Sequence, residues 1–168
     1  MVNMVLNILF VCYENICRSP MAEGVFRWYA LTEGLAHCIT VASAGTRSYQ
    51  RGSFPDERAV AAASGFGIDI SPIRARCIDE LDLGQFDWIF VMDHENYEDV
   101  GLITGFAGRP QVRLVMSFVP GRHNEEIADP YYGTERDFRR VMDDLFLASS
   151  HILPALAELH RFPEAADA

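Results

Sequence analysis

The chain has 168 residues, enough for one domain with a full hydrophobic core, and no break in composition marks a second. A formal net charge of −10, with 14 basic residues that are all arginine, argues against a broad nucleic-acid surface and leaves room only for a focused anion site. Cys12, Cys17, Cys38 and Cys77 form neither paired metal-type C-x-x-C units nor a secreted disulfide framework, so a reducing cytoplasm is the expected setting.

In chain order, the apolar run 4–11 is interrupted by Asn7 and has no basic residue before it. It is therefore a poor signal peptide, is too short to span a membrane, and reads as a buried strand over 6–11. Ser19 suits a helix cap and Pro20 a first helical position; Ala22, Val25, Phe26, Tyr29 and Ala30 then hold one helical face until Gly34. A second strand is expected over 39–43, a surface loop over 47–55, an alanine-rich helix over 56–64 and a third strand over 86–92. A short helix over 95–103 and a strand over 112–118 follow. From Asp137 a long helical face runs through Phe138, Val141, Met142, Leu145, Ile152 and Leu156, with a kink expected at Pro154. Strands alternating with helices predict a single α/β domain over 1–162, with a four-stranded, mostly parallel sheet and helices on both faces, and a frayed tail over 163–168.

The chemistry concentrates where the first strand ends. Cys12-Tyr13-Glu14-Asn15-Ile16-Cys17-Arg18-Ser19-Pro20 places a cysteine, a short loop, an arginine and a helix start in succession. Loop amides and a helix amino end can converge on one anion, Arg18 adds a planar fork for two oxygens, and the same field favours a thiolate on Cys12. An isolated C-x5-R is more often a buried cysteine and a surface arginine; the strand before it, the Ser-Pro helix start after it and the acid Asp129 reverse that preference. Asp129, in Ala128-Asp129-Pro130-Tyr131-Tyr132-Gly133, can protonate a leaving oxygen, although Asp-Pro is also a common turn opener. Cys12, Ser43 and Asp93 all follow expected strand ends, which points them to one face of the sheet.

These segments, with Met21-Ala22-Glu23, Ser43-Ala44-Gly45-Thr46 and Met92-Asp93 plus Asn96, resemble the low-molecular-weight protein tyrosine phosphatases, in order from about Asn7 to beyond Phe138. The resemblance implies hydrolysis of phosphotyrosine through a phosphocysteine on Cys12. Arg18 and the loop 13–18 (Tyr13, Glu14, Asn15, Ile16, Cys17) would bind phosphate, with Asp129 as general acid and base and Ser19 hydrogen-bonded to the sulfur. It implies that Asn15 and Ser43 support the loop, and that Tyr13, Tyr49, Tyr131 and Tyr132 wall a slot for an aromatic ring. No metal and no cofactor are implied. The implied partner is a tyrosine-phosphorylated protein, a bacterial tyrosine kinase among the candidates, met by a cytoplasmic monomer or weak dimer with no membrane insertion. Cys17 stands open between a redox partner for Cys12 and a small residue that fits a tight loop.

Two residues depart from the pattern. Glu14 stands where the family usually has glycine and is expected to point outward, away from the phosphate. Ile73 replaces a histidine found in some members, leaving Ser43 as the expected partner of Asn15. Two other readings compete: arsenate reduction on the same fold, which needs two further cysteines in a downstream segment where only Cys77 lies, and a catalytically weak phosphotyrosine-binding regulator.

Overall fold

The computed structural model describes residues 5–162, and in it strands and helices alternate: β1 (Leu6–Cys12), α1 (Arg18–Thr32), β2 (Ile39–Gly45), α2 (Glu57–Ser64), β3 (Trp88–Val91), α3 (His94–Thr104), β4 (Gln111–Leu114) and α4 (Glu135–His160). The first residues of the expected 1–162 domain and the expected tail 163–168 lie outside the described residues. The four strands form one sheet in the order β2-β1-β3-β4, and every pairing is parallel. From β1 the chain moves outward to β2, then returns to β3 on the other side of β1. That reversal opens a crevice beyond the carboxyl end of β1, the place where such sheets bind ligands. Cys12 sits at that end, in register with Gly45.

From Ile8 to Cys12 β1 is continuously apolar because both of its faces are covered. Ile8, Phe10 and Cys12 join the core shared with α1, α2 and α4, whereas Leu9 and Val11 join Ile89, Val91 and Val100 on the α3 side. The long α4 lays Phe138, Val141, Met142, Leu145, Ile152 and Leu156 on the larger core. It continues through Pro154 as one helix, because contact along its whole length absorbs the single backbone bond a proline removes.

Two local expectations change. Extended structure over 112–118 stops at Leu114 and gives way to a 3-10 turn over Val115–Phe118. Leu114, Val115 and Met116 are all buried, and three consecutive inward side chains are incompatible with the alternation of a strand packed on one side. α1 starts at Arg18, ahead of the Ser-Pro pair, with Cys17 at its cap position and no side chain capping it. Ser19 is thereby a helical residue whose hydroxyl is free for another task, and Pro20 lies in the first turn, where a missing N–H costs nothing.

Candidate active site

Residues 12–18 curl from β1 into α1, and Asn15 makes the curl with φ 58°, in the left-handed region that asparagine tolerates better than most residues. Its side chain ties the loop at both ends: Nδ2 donates to Ser19 Oγ at 2.8 Å, and Oδ1 accepts the backbone N–H of Arg76 at 3.0 Å. Ser43 is not its partner, contrary to the expectation. The Ser43 hydroxyl donates to Glu23 Oε2 at 2.5 Å, because a buried carboxylate needs donors, and Arg27 supplies another at 2.6 Å. Ser43 reaches the loop only through its carbonyl, which accepts from Arg76 Nε at 3.0 Å. Gly45 lies against the back of the curl, where a Cβ would come within 2.7 Å of Tyr13 O and 2.9 Å of Asn15 N. A side chain at position 45 would push the loop off the sheet.

Ser19 Oγ lies 3.0 Å from Cys12 Sγ and 3.2 Å from Ala44 O. With its acceptor role filled by Asn15, its single proton can turn to either neighbour. A thiol at Cys12 leaves that proton on Ala44 O; a thiolate draws it to sulfur. No side chain caps α1, Pro20 has no N–H and the Met21 N–H is bonded to Cys17 O at 3.2 Å, which leaves the amides of Arg18 and Ser19 at the helix start for an anion.

Arg18 is 3% exposed. Its Nη1 donates to Asp93 Oδ2 at 2.7 Å and to Ile127 O at 2.9 Å, while Nη2 lies 3.4 Å from Asp129 Oδ2. Burial works against its charge, and Cys12, Asp129 and Asp93 more than offset that, holding the guanidinium above its ordinary value. Asp93 is thus the anchor of the arginine, a role the sequence reading missed. The available signal was its place immediately after β3, one strand over from Cys12. Asp93 also caps α3 through the N–H of Asn96 at 2.8 Å, so one carboxylate serves two elements.

Asp129 opens a turn in which Oδ1 accepts the Tyr131 N–H at 3.1 Å. Its side chain is 48% exposed, and it forms one wall of a cleft of about 270 Å³ with Cys12 and Arg18 at the base. Tyr13, Ile16, Cys17 and Tyr131 also line the cleft, and Tyr132 stands at its lip, 98% exposed and edge-on to the Tyr131 ring. Arg58, ion-paired with Asp56 at 2.9 Å, lies over both the Phe138 ring at 4.6 Å and the Tyr131 ring at 5.6 Å, tying the acid turn to α2 and α4.

Tyr49 is not among the lining residues. It is 79% exposed, and Gln50 takes its place. Glu14, half-buried, stands at the rim of the cleft: its Oε2 accepts the Gln50 N–H at 3.2 Å, and both residues line the cleft. Cys17 lines the cleft as a thiol whose pKa burial pushes well up, with Asp56, Cys12 and Asp129 adding to the effect. Cys77 is buried on the other side of Gly45, to which its backbone bridges, and does not line the cleft. Among the described residues no His, Cys, Asp and Glu cluster could hold a metal, and no helix is long and apolar enough to cross a membrane.

Residues 7–161 match the family described as low molecular weight phosphotyrosine protein phosphatase. The low molecular weight protein-tyrosine-phosphatase YfkJ of Bacillus subtilis is 36% identical over 127 residues, 76% of this chain and 81% of that protein. Its crystal structure superposes with a TM-score of 0.85 at 32% identity, over 92% of this chain and 96% of that one. The human low molecular weight phosphotyrosine protein phosphatase is 36% identical over 137 residues, 80% of this chain and 85% of that protein. The YwlE arginine phosphatase of Bacillus subtilis, as a cysteine-to-serine mutant with a phosphorylated active-site serine, superposes with a TM-score of 0.83 at 25% identity, over 94% of this chain and all of that one (100%).

Proposed function

This chain belongs to the low molecular weight phosphotyrosine protein phosphatases, and on that premise we propose that it hydrolyses phosphotyrosine in proteins through a phosphocysteine on Cys12. The Cys12 thiolate attacks phosphorus. The loop amides and the guanidinium of Arg18, steadied by Asp93 and the Ile127 carbonyl, hold the equatorial oxygens as charge spreads over them. The tyrosine oxygen leaves with a proton from Asp129. The resulting Asp129 carboxylate takes a proton from water as that water attacks the phosphocysteine, and phosphate and the thiolate separate. Ser19, 3.0 Å from the sulfur, stabilises the departing thiolate with its hydroxyl proton.

One observation carries this reading: Arg18 Nη2 and Asp129 Oδ2 approach to 3.4 Å across a cleft whose base holds Cys12. The phosphate binder and the proton donor therefore meet where the bond to phosphorus must break. The apolar and aromatic walls from Ile16, Tyr13 and Tyr131 suit a flat aryl leaving group. The partner is a tyrosine-phosphorylated protein, and a reducing cytoplasm suits four free thiols.

The test is phosphate release from a phosphotyrosine peptide and from phosphoarginine. The wild type is expected to hydrolyse the former and prefer it, with Cys12→Ser inactive on both. Binding of phosphotyrosine peptide with no turnover would instead make the protein a regulator, and a preference for phosphoarginine would make it an arginine phosphatase. Thiol consumption that depends on arsenate would move it to arsenate reduction.

A further inference from the structure

Glu14 adds a fixed negative charge to the rim of the cleft. Its Oε2 is held by the Gln50 N–H at 3.2 Å, while Oε1 has no donor among the described residues. Glu14 and Gln50 line the cleft, together with Asp129, Tyr131 and Tyr132. A phosphotyrosine that fills the cleft must carry its flanking peptide across this rim.

The cations around the rim do not neutralise Glu14, since each is held elsewhere. Arg47 lies over the Tyr13 ring at 5.1 Å but is bound to Asp99 at 2.7 Å and Glu95 at 3.4 Å. Arg58 is bound to Asp56, and Arg51 to Asp79 at 3.2 Å and Glu80 at 3.0 Å. Arg18 is at the base with its own carboxylates.

We infer that Glu14 is a specificity-determining residue: it selects phosphotyrosine sites flanked by a basic residue and rejects those flanked by acidic ones. The inference rests on the phosphotyrosine reading of the cleft and names the substrate class within it. The Gln50 amide makes the charge effective, because a carboxylate already oriented loses little side-chain freedom when a guanidinium or ammonium docks on its free oxygen. Opposite charge at the rim attracts and like charge repels, so the two effects add when acidic and basic peptides are compared.

The experiment compares kcat/KM for two phosphotyrosine peptides that differ only in carrying arginine or glutamate beside the phosphotyrosine, in wild type and Glu14→Gln, at low and high salt. The wild type is expected to favour the arginine peptide by at least about threefold at low salt, with the ratio shrinking as salt screens the pair. Glu14→Gln keeps a side chain of the same shape and is expected to bring the ratio near one. An unchanged ratio in Glu14→Gln, or a wild type that prefers the glutamate peptide, overturns the inference while leaving the phosphatase reading in place. Absence of hydrolysis of either peptide by the wild type overturns both.

Discussion

The two loops that meet over the cleft are built on opposite principles. In the phosphate loop Cys12, Asn15, Cys17, Arg18 and Ser19 are all buried, and both ends of the Asn15 amide are bonded into the surrounding fold. The acid loop has Asp129 half-exposed and Tyr132 almost wholly so; its tight bonds are local turns, Tyr131 N–H to Asp129 Oδ1 and Gly133 N–H to Pro130 O at 2.9 Å, and its bonds to distant elements are the longer ones from Arg18 to Asp129 at 3.4 Å and from Arg58 to Gly133 O at 3.5 Å. On the proposed mechanism, the difference matches what each loop would recognise. Equatorial phosphoryl oxygens have the same geometry in every substrate, so a rigid cradle can be complementary to them. Leaving groups and peptide flanks vary, and a loop that meets them gains from local adjustment.

Four experiments break or sharpen this contrast. The largest effect is expected for Asp129→Asn. Its turnover of phosphotyrosine should fall by roughly 10²–10⁴-fold, the range for a lost general acid. The loss should be smaller for p-nitrophenyl phosphate, whose oxygen leaves without help, and inhibition by inorganic phosphate should be kept or strengthened. Weakened phosphate binding would place Asp129 in the rigid half instead. Asn15→Ala should act differently, lowering kcat/KM for all phosphomonoesters alike by about tenfold or more. It also leaves the Arg76 N–H without its acceptor, so urea unfolding should show a loss of about 1–3 kcal/mol.

Tyr132→Ala tests the adaptable half at its outermost point. An almost fully exposed ring at the lip should change kcat/KM by no more than about threefold, read with peptide rather than with a small aryl phosphate. The smallest effect is expected far from both loops. Trp88 Nε1–H donates to His160 Nε2 at 3.0 Å, which requires a neutral imidazole, and burial followed by Arg109 holds its pKa below the ordinary 6.5. A depressed folded-state pKa contributes stability that is present above 6.5 and lost as pH falls below it. Thermal melts should therefore show wild type losing stability relative to His160→Gln between pH 7.5 and pH 5, with activity per folded molecule the same in both.

Much of the fold was legible because it depends on residue type and period. The apolar run of β1, the cysteine and arginine after it, and the face from Phe138 to Leu156 each carry a local signal that the packing preserves. The parts that were not legible depend on partners distant in the chain. The main brace of Asn15 is a backbone amide at Arg76, and every residue but proline has one, so no residue type could announce it. Ser43 looked available until the buried Glu23 claimed its hydroxyl. Tyr49 was expected in the slot because the resemblance implied an aromatic wall there, whereas it is Gln50, with its main-chain N–H bonded to Glu14, that lines the cleft. Asp93 was placed only at a strand end on the same face as Cys12, and its hold on Arg18 became visible only once β1 and β3 were neighbours.

The bare amino end of α1 also has a thermodynamic consequence. Any ligand bound only by the folded chain shifts the unfolding equilibrium, by about 2.7 kcal/mol at a hundred times its dissociation constant. On the proposed reading, inorganic phosphate as the product would be at once a brake on turnover and a thermal protectant, so lowering phosphate should speed turnover and lower the melting temperature together.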